Sequence, residues 1–296
     1  MEEIVYLNGS LIPRSQAHVS VYDHGFLYGY GLFETMRAYH GKIFLLGRHI
    51  KRLLDSAGII GLSSRLSGID LSGACVAVLQ ANGLEEARLR LTVSHGEADV
   101  FPWAETNNTP TVLVTARSYT PFPAEKYRQG FRVGVASVRR CRQSVVASMK
   151  SVNYLASVMA RMESASQGLD EALLLNDMGF VAEGGSSNVF FVKASGLMTP
   201  SLESGILPGI TREVVLELAG APGISVTEGD VSLADLGRFD EAFLTNAMME
   251  IMPLVAVRDE AGKDITIGSG KPGRVTRRLM AAYREMVASE TGHLPR

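Results

Sequence analysis

Cysteine is scarce in this 296-residue chain. Only Cys75 and Cys141 occur, far apart and in no metal-ligand spacing. A disulfide framework needs more of them, so two free thiols in a reducing cytoplasm are expected. A charge excess is also missing. Lys and Arg number 29 against 31 Asp and Glu, for a net charge of −2, which argues against a nucleic-acid partner. The densest basic cluster, Arg139, Arg140 and Arg142, is short and reads as local. No apolar run approaches the ~20 residues of a membrane span, and the acidic start at Glu2 and Glu3 lacks the apolar core of a signal peptide. A soluble, cytoplasmic protein without a membrane partner is expected. The six histidines form no pair spaced by three residues, so no metal is expected. Other signatures fail by one residue: Glu34 stands where a dinucleotide fingerprint starting at Gly29 needs its third glycine, and Ala147 stands where a serine three before Lys150 would be required.

Apolar residues make up 46% of the chain and charged residues 20%, enough for a real core in one large domain or two ordinary ones. Asn8-Gly9 between Ile4–Leu7 and Leu11–Ile12, and His40-Gly41 between Glu34–Tyr39 and Lys42–Leu46, predict two hairpins. Ile50, Leu53, Leu54 and Ala57 form the apolar stripe of a helix over 48–57. Strands are predicted at 87–94, 111–117, 131–138, 171–175, 180–183, 189–193 and 241–245. Helices are predicted at 152–166, from about Thr211, and at 275–287. Pro121, Pro123 and Gly130 mark a linker. The expected organisation is a small domain at 1–118, a linker at 119–130 and a larger domain at 131–296. Strands and helices mix without strict alternation, so the fold class is α+β.

Four motifs carry chemistry. Lys150 precedes the predicted helix, whose apolar stripe is Val152, Leu155, Ala156, Met159 and Met162, with Tyr154 off that stripe. A lysine at a crowded helix N-terminus loses solvation and meets the positive dipole end, and both favour a neutral amine that attacks an aldehyde. Glu183 ends an apolar strand before Gly184-Gly185, where another group can approach the backbone. A carboxylate there can keep a pyridine nitrogen protonated and make the ring an electron sink. Leu207-Pro208-Gly209-Ile210-Thr211 is a tight turn into a helix whose first N–H groups suit a phosphate. Arg52 falls away from the helical stripe of 48–57, where it can grip a phosphate if that face lines a cleft.

The order and spacing of these motifs resemble the class IV aminotransferases, the fold-type IV enzymes that use pyridoxal 5′-phosphate (PLP). The carrying residues are Tyr28-Gly29-x-Gly31-x-Phe33-Glu34, His49-x-x-Arg52-Leu53, Lys150-Ser151-x-Asn153-Tyr154-Leu155, Glu183-Gly184 with Asn188, and Leu207-Pro208-Gly209-Ile210-Thr211-Arg212. The resemblance implies a small α/β domain and a larger domain with a barrel-like sheet. It implies that Lys150 holds PLP as a Schiff base and shuttles protons, that Glu183 pairs with the pyridine nitrogen and that Tyr154 hydrogen-bonds the ring oxygen. Arg52, Ile210, Thr211, Asn246 and Ala247 are expected around the phosphate. Tyr28, Phe33, Arg37, Arg90, Ala247 and Met248 are expected on the substrate side. The implied activity is transamination between a small, branched-chain-like amino acid and a 2-oxo acid, by a homodimer. The stretch Thr245-Asn246-Ala247 departs from the Ser-Gly-Thr pattern of branched-chain enzymes and resembles the 4-amino-4-deoxychorismate lyases, which release pyruvate and 4-aminobenzoate. That lyase activity is the alternative, followed by a PLP-binding protein with little catalysis.

Overall fold

The computed structural model describes residues 2–98, 109–194, 196–220 and 223–292. They form two compact units, one of Met1–Thr120, Met149–Asn153 and Val287–Arg296, the other of Pro121–Ser148 and Tyr154–Met286. A linear division at one linker does not provide for 149–153 or for the stretch from Val287 onward joining the first unit.

The first unit contains β1 (Ile4–Leu7), β2 (Ser10–Pro13), α1 (His24–Tyr28), β3 (Gly31–Tyr39), β4 (Lys42–Ile43), α2 (Leu46–Ile59), α3 (Ser63–Leu66), α4 (Leu71–Ala81), β5 (Ala87–Ser94) and β6 (Thr111–Ser118). The strands pair antiparallel in the order β2-β1-β6-β5-β3-β4. Both predicted hairpins form on left-handed residue pairs, Asn8-Gly9 and His40-Gly41. The second is shorter than expected, because Leu45 turns left-handed and α2 starts at Leu46. Side chains alternate across a strand. Leu32, Met36, Leu89, Leu91, Val93, Val112 and Val114 therefore share one face, which packs on Leu53 and Ala57 of α2 and on Cys75 and Val78 of α4. Helix α4 is absent from the sequence reading; Asp70 caps it by accepting the Gly73 N–H at 2.8 Å.

The second unit contains α5 (Ala124–Gln129), β7 (Phe131–Arg140), α6 (Leu155–Ser166), β8 (Glu171–Asn176), β9 (Val181–Gly184), β10 (Asn188–Lys193), β11 (Gly196–Thr199), α7 (Ile210–Gly220), β12 (Val226–Glu228), β13 (Glu241–Asn246), β14 (Glu250–Arg258), β15 (Asp264–Thr266) and the part of α8 (Arg274–Thr291) before Val287. Residues 124–129, inside the expected linker, are thus helical. Among the described residues the sheet has nine strands in the order β12-β11-β10-β13-β14-β7-β8-β9, with β15 on β14. Strands β9 and β10 lie five steps apart in that order, about 24 Å in a flat sheet. Yet only residues 185–187 join them, a reach of about 14 Å. The sheet must curl, and the Gly184 N–H meets the Ser187 carbonyl at 2.6 Å in the connecting turn. This is the barrel-like sheet of an α+β fold.

Strand β14 is absent from the sequence reading and contains Pro253. That proline lies opposite Phe243 of β13, and pairing with β7 begins only at Leu254. The missing N–H therefore breaks no rung on the β7 side.

Candidate active site

Lys150 belongs to the first unit. Its carbonyl accepts the Phe33 N–H at 2.8 Å, and the Val152 N–H donates to the Gly31 carbonyl at 3.0 Å. Ser151 bridges Leu32. Residues 150–152 thus form a short antiparallel rung on the start of β3. This corrects the sequence reading: α6 begins at Leu155, not Val152, so Lys150 does not lie just before the helix and the dipole argument does not apply to it. Hydrogen bonding to β3 offers this backbone a better-defined partner than a helix start would. The amine lies over the ring of Phe33, whose centroid is 4.8 Å from Nζ and 3.8 Å from the Arg90 guanidinium.

The first glycine of Tyr28-Gly29-Tyr30-Gly31 is required by this clasp, the second by the close Val93 carbonyl of β5. Gly29 ends α1 at φ +67°, and a Cβ there would lie 2.3 Å from Asn153 Oδ1. Asn153 in turn donates from Nδ2 to the Gly29 carbonyl at 2.9 Å. Tyr28 is half-exposed at the end of α1, its ring edge-on to His24 at 5.0 Å. Arg37, expected on the substrate side, is instead buried. Its guanidinium lies 4.2 Å from the Tyr39 ring and 5.0 Å from the Tyr119 ring, and 3.8 Å from Glu86. The two rings and the carboxylate compensate its desolvation, which makes it part of the sheet's packing.

Arg52 also departs from the reading. Its side chain is only 11% exposed and forks onto Glu34, Nε to Oε1 at 2.8 Å and Nη2 to Oε2 at 2.6 Å. His49 Nδ1 lies 2.8 Å from Glu34 Oε2. The true buried face of α2 is His49, Leu53, Ser56 and Ala57. Ranking by hydrophobicity leaves out His49 and Ser56, which rotates the apparent stripe and pushes Arg52 toward solvent. Burial by itself would raise the Glu34 carboxyl, but Arg52 and His49 outweigh it and hold it at about 2. Burial lowers His49, against the pull of Glu34, and the nearby charges of Arg52 and Lys150 lower it further. Since ionised Glu34 only accepts, His49 carries its proton on Nδ1.

The second unit holds the other expected residues. Glu183, in β9, is 7% exposed and both its oxygens are fixed. Oε1 lies 2.6 Å from Arg140 Nη2, and Oε2 accepts the Leu207 N–H at 2.9 Å. Asn188 donates from Nδ2 to the Leu207 carbonyl at 2.9 Å. Both backbone groups of Leu207 are thereby taken by side chains of β9 and β10, which aims the turn into α7. Gly209 is needed here, since a Cβ would lie 2.0 Å from Asn188 Oδ1. Ile210, Thr211 and Arg212 open α7 and are all buried. Arg212 is occupied, donating to the Pro200 carbonyl at 3.0 Å and pairing with Glu228.

Tyr154 stands at the N-cap of α6 and donates its hydroxyl to the Gly185 carbonyl at 3.1 Å. Burial, with Glu171 and Glu183, raises its phenol, against Arg161, so it remains a donor. Asn246 shapes its own turn. Its Oδ1 accepts the Met248 and Met249 N–H groups at 2.9 and 2.8 Å, and Nδ2 donates to the Ser186 carbonyl at 3.0 Å. The Asn246 amide, expected around the phosphate, shapes the β13–β14 turn, with half-buried Ala247 and Met248 at its tip.

Two residues escape the sequence reading. Ser187 Oγ and Thr245 Oγ1 are buried without a hydrogen-bond partner. Thr245 faces Asn188 in register, on the side where Asn188 reaches the α7 turn. A hydroxyl ending the apolar run Glu241–Thr245 is the available signal. Unpaired buried hydroxyls beside a helix N-terminus and a buried carboxylate fit a ligand with a phosphate and a basic ring nitrogen. Among the described residues, no group of three or more His, Cys, Asp or Glu could hold a metal ion, and no helix is long and apolar enough to cross a membrane.

The family model described as amino-transferase class IV matches residues 31–257. The chain is 38% identical to a putative branched-chain-amino-acid aminotransferase of Methanocaldococcus jannaschii, over 95% of this chain and 96% of that one. It is 34% identical to the aminodeoxychorismate lyase of Bacillus subtilis, over 96% and 94%. The solved branched-chain amino acid aminotransferase from Escherichia coli superimposes with a TM-score of 0.87 at 30% identity, covering 100% of this chain and 96% of that one. The chain belongs to the class IV aminotransferase family and is an enzyme with its fold-type IV architecture.

Proposed function

We propose that this enzyme is a PLP-dependent transaminase that moves an amino group between a small, branched-chain-like amino acid and a 2-oxo acid. The observation that carries this is the buried Glu183 carboxylate, with both oxygens held beside the turn into α7. A fixed, buried anion at that place suits a protonated pyridine nitrogen, and the helix start suits a phosphate. The 38% identity to a branched-chain enzyme supports the substrate class.

PLP, when bound, supplies an aldehyde that condenses with amines and a ring that accepts an electron pair. Lys150 would be the amine that holds that aldehyde and would take and return the proton at the substrate α-carbon. Glu183 keeps the proton on the ring nitrogen. Tyr154 would turn its one hydroxyl hydrogen from the Gly185 carbonyl to the ring oxygen. Ile210, Thr211 and Ala247 would offer backbone N–H groups to a phosphate, Thr211 and Thr245 would add hydroxyls, and Arg52, its plane set by Glu34, would add charge. Tyr28, Phe33, Arg90 and Met248 border the substrate.

The enzyme acts as a homodimer in the cytoplasm. The dimer is supported by apolar side chains left at the surface of each unit: Phe26 at 74% in the first, Leu155 at 70% and Met162 at 66% in the second. Cytoplasmic location is supported by two free thiols.

The lyase is kept as a second reading on one observation, the 34% identity to aminodeoxychorismate lyase over nearly the full length. Two assays on purified enzyme separate them: 2-oxoglutarate-dependent loss of L-Leu, L-Ile, L-Val and D-Ala, and release of 4-aminobenzoate from aminodeoxychorismate. Turnover of the branched-chain amino acids without 4-aminobenzoate is expected. Release of 4-aminobenzoate with negligible transamination overturns the assignment and leaves the cofactor residues standing.

A further inference from the structure

Arg140 lies in a basic cluster that the sequence explains only as local, but consecutive arginines at the end of β7 point opposite ways. Arg139 turns outward to Glu260 and to the Ala136 carbonyl at 2.6 Å. Arg140 turns inward and reaches past β8 to β9, where its Nη2 meets Glu183 Oε1 at 2.6 Å. The same guanidinium donates from Nη2 to the Ala147 carbonyl at 2.9 Å and from Nε to the Gly205 carbonyl at 3.2 Å. Those two carbonyls hold the guanidinium in place from segments outside the sheet. Gly205 lets its own loop lie against the chain just after β7: it is left-handed at φ +79°, and a Cβ there would stand 3.0 Å from Arg142 Cα. The guanidinium is therefore fixed before it meets the carboxylate. With the Leu207 N–H on Oε2, Glu183 is gripped at both oxygens.

We propose that Arg140 is a positioning residue that keeps Glu183 ionised and aimed, through a charged hydrogen bond to Oε1 and two carbonyl anchors. This rests on the reading that Glu183 faces a pyridine nitrogen. Glu183 is buried, and a buried carboxyl without a cationic partner takes up a proton at higher pH. A protonated Glu183 no longer favours a protonated ring nitrogen. Arg140 thus sets how far into acid the cofactor site keeps its grip.

The test is PLP affinity as a function of pH, from visible absorbance titration of the apoenzyme, in wild type, Arg140→Met, Arg140→Lys and Glu183→Gln. In wild type, affinity falls only at low pH. In Arg140→Met that acid limb moves up by about one pH unit or more, since an opposite charge at this range lowers a carboxyl by roughly 1–3 units. Affinity midway between the two limbs then drops several-fold. Arg140→Lys keeps the charge and returns the limb toward wild type, and Glu183→Gln abolishes it. If Arg140→Met does not fold, Arg140→Gln keeps hydrogen-bonding reach to the two carbonyls and carries the same comparison. A limb unchanged in the Met or Gln variant, with affinity lowered equally at all pH, overturns the proposal and leaves Arg140 a structural residue. A wild-type limb in Glu183→Gln shows instead that Glu183 does not face the ring nitrogen, which sinks the underlying reading and the proposal with it.

Discussion

Arg52→Ala measures what the Glu34 network contributes. The sequence stripe implies that this change is harmless to folding; the structure implies the reverse. Glu34 is fully buried and titrates at about 2 instead of 4.5. At 1.36 kcal/mol per pH unit, that shift, already net of burial, favours the ionised form by about 3 kcal/mol. Removing Arg52 leaves a buried carboxylate that keeps its contact to His49, and breaking a buried pair in this way costs roughly 3–5 kcal/mol. The expected loss in urea unfolding at pH 7, followed by far-UV circular dichroism, is therefore about 3 kcal/mol. The pH dependence has a definite sign. A depressed carboxyl contributes fully above its unfolded value near 4.5 and loses that contribution as pH falls toward 2, so by pH 3 the gap between wild type and variant shrinks to about half. Adding Glu34→Gln to Arg52→Ala removes the stranded charge and recovers part of the loss. A cost under about 1 kcal/mol that does not change with pH would falsify this account and return Arg52 to an exposed helix face. If Arg52 also binds phosphate, as proposed, the single variant weakens PLP binding as well, a charged hydrogen bond contributing roughly 1.5–3 kcal/mol.

Three further outcomes are expected. Wild-type protein with PLP is yellow and its band is bleached by borohydride, while Lys150→Ala forms no covalent link and loses nearly all turnover; a colourless protein that takes up no PLP sinks the functional reading. Asn246→Ala strands the Met248 and Met249 N–H groups and lowers stability by about 1–3 kcal/mol, without changing the ratio of transaminase to lyase rates; a changed ratio at unaltered stability shows that Asn246 selects the reaction rather than the turn. Leu155→Glu with Met162→Glu on the exposed face of α6 shifts the molecular mass in light scattering from dimer to monomer; a dimer that withstands both charges places the interface elsewhere.

Local chemistry is legible from residue order alone. Asn8-Gly9 and His40-Gly41 make turns because few residues accept a left-handed backbone, and strands such as β5 and β10 follow from runs of branched and aromatic side chains. Lys150, Glu183 and the Leu207–Thr211 turn stand out because their spacing is that of a known family. Other features depend on partners distant in sequence. Helix α6 buries Ser157, Ala160 and Ser164 and exposes Leu155, Met159 and Met162, the opposite of an amphipathic reading, because only small side chains fit against β7 and β8. Residues 150–152 become a rung of sheet rather than helix because β3 offers hydrogen bonds from more than 100 residues away. Arg52 and Arg140 look like surface charges until the fold brings Glu34 and Glu183 within 2.6 Å of them. A sequence carries the charge of each side chain, but the partner that permits its burial is chosen only when the strands are laid in register.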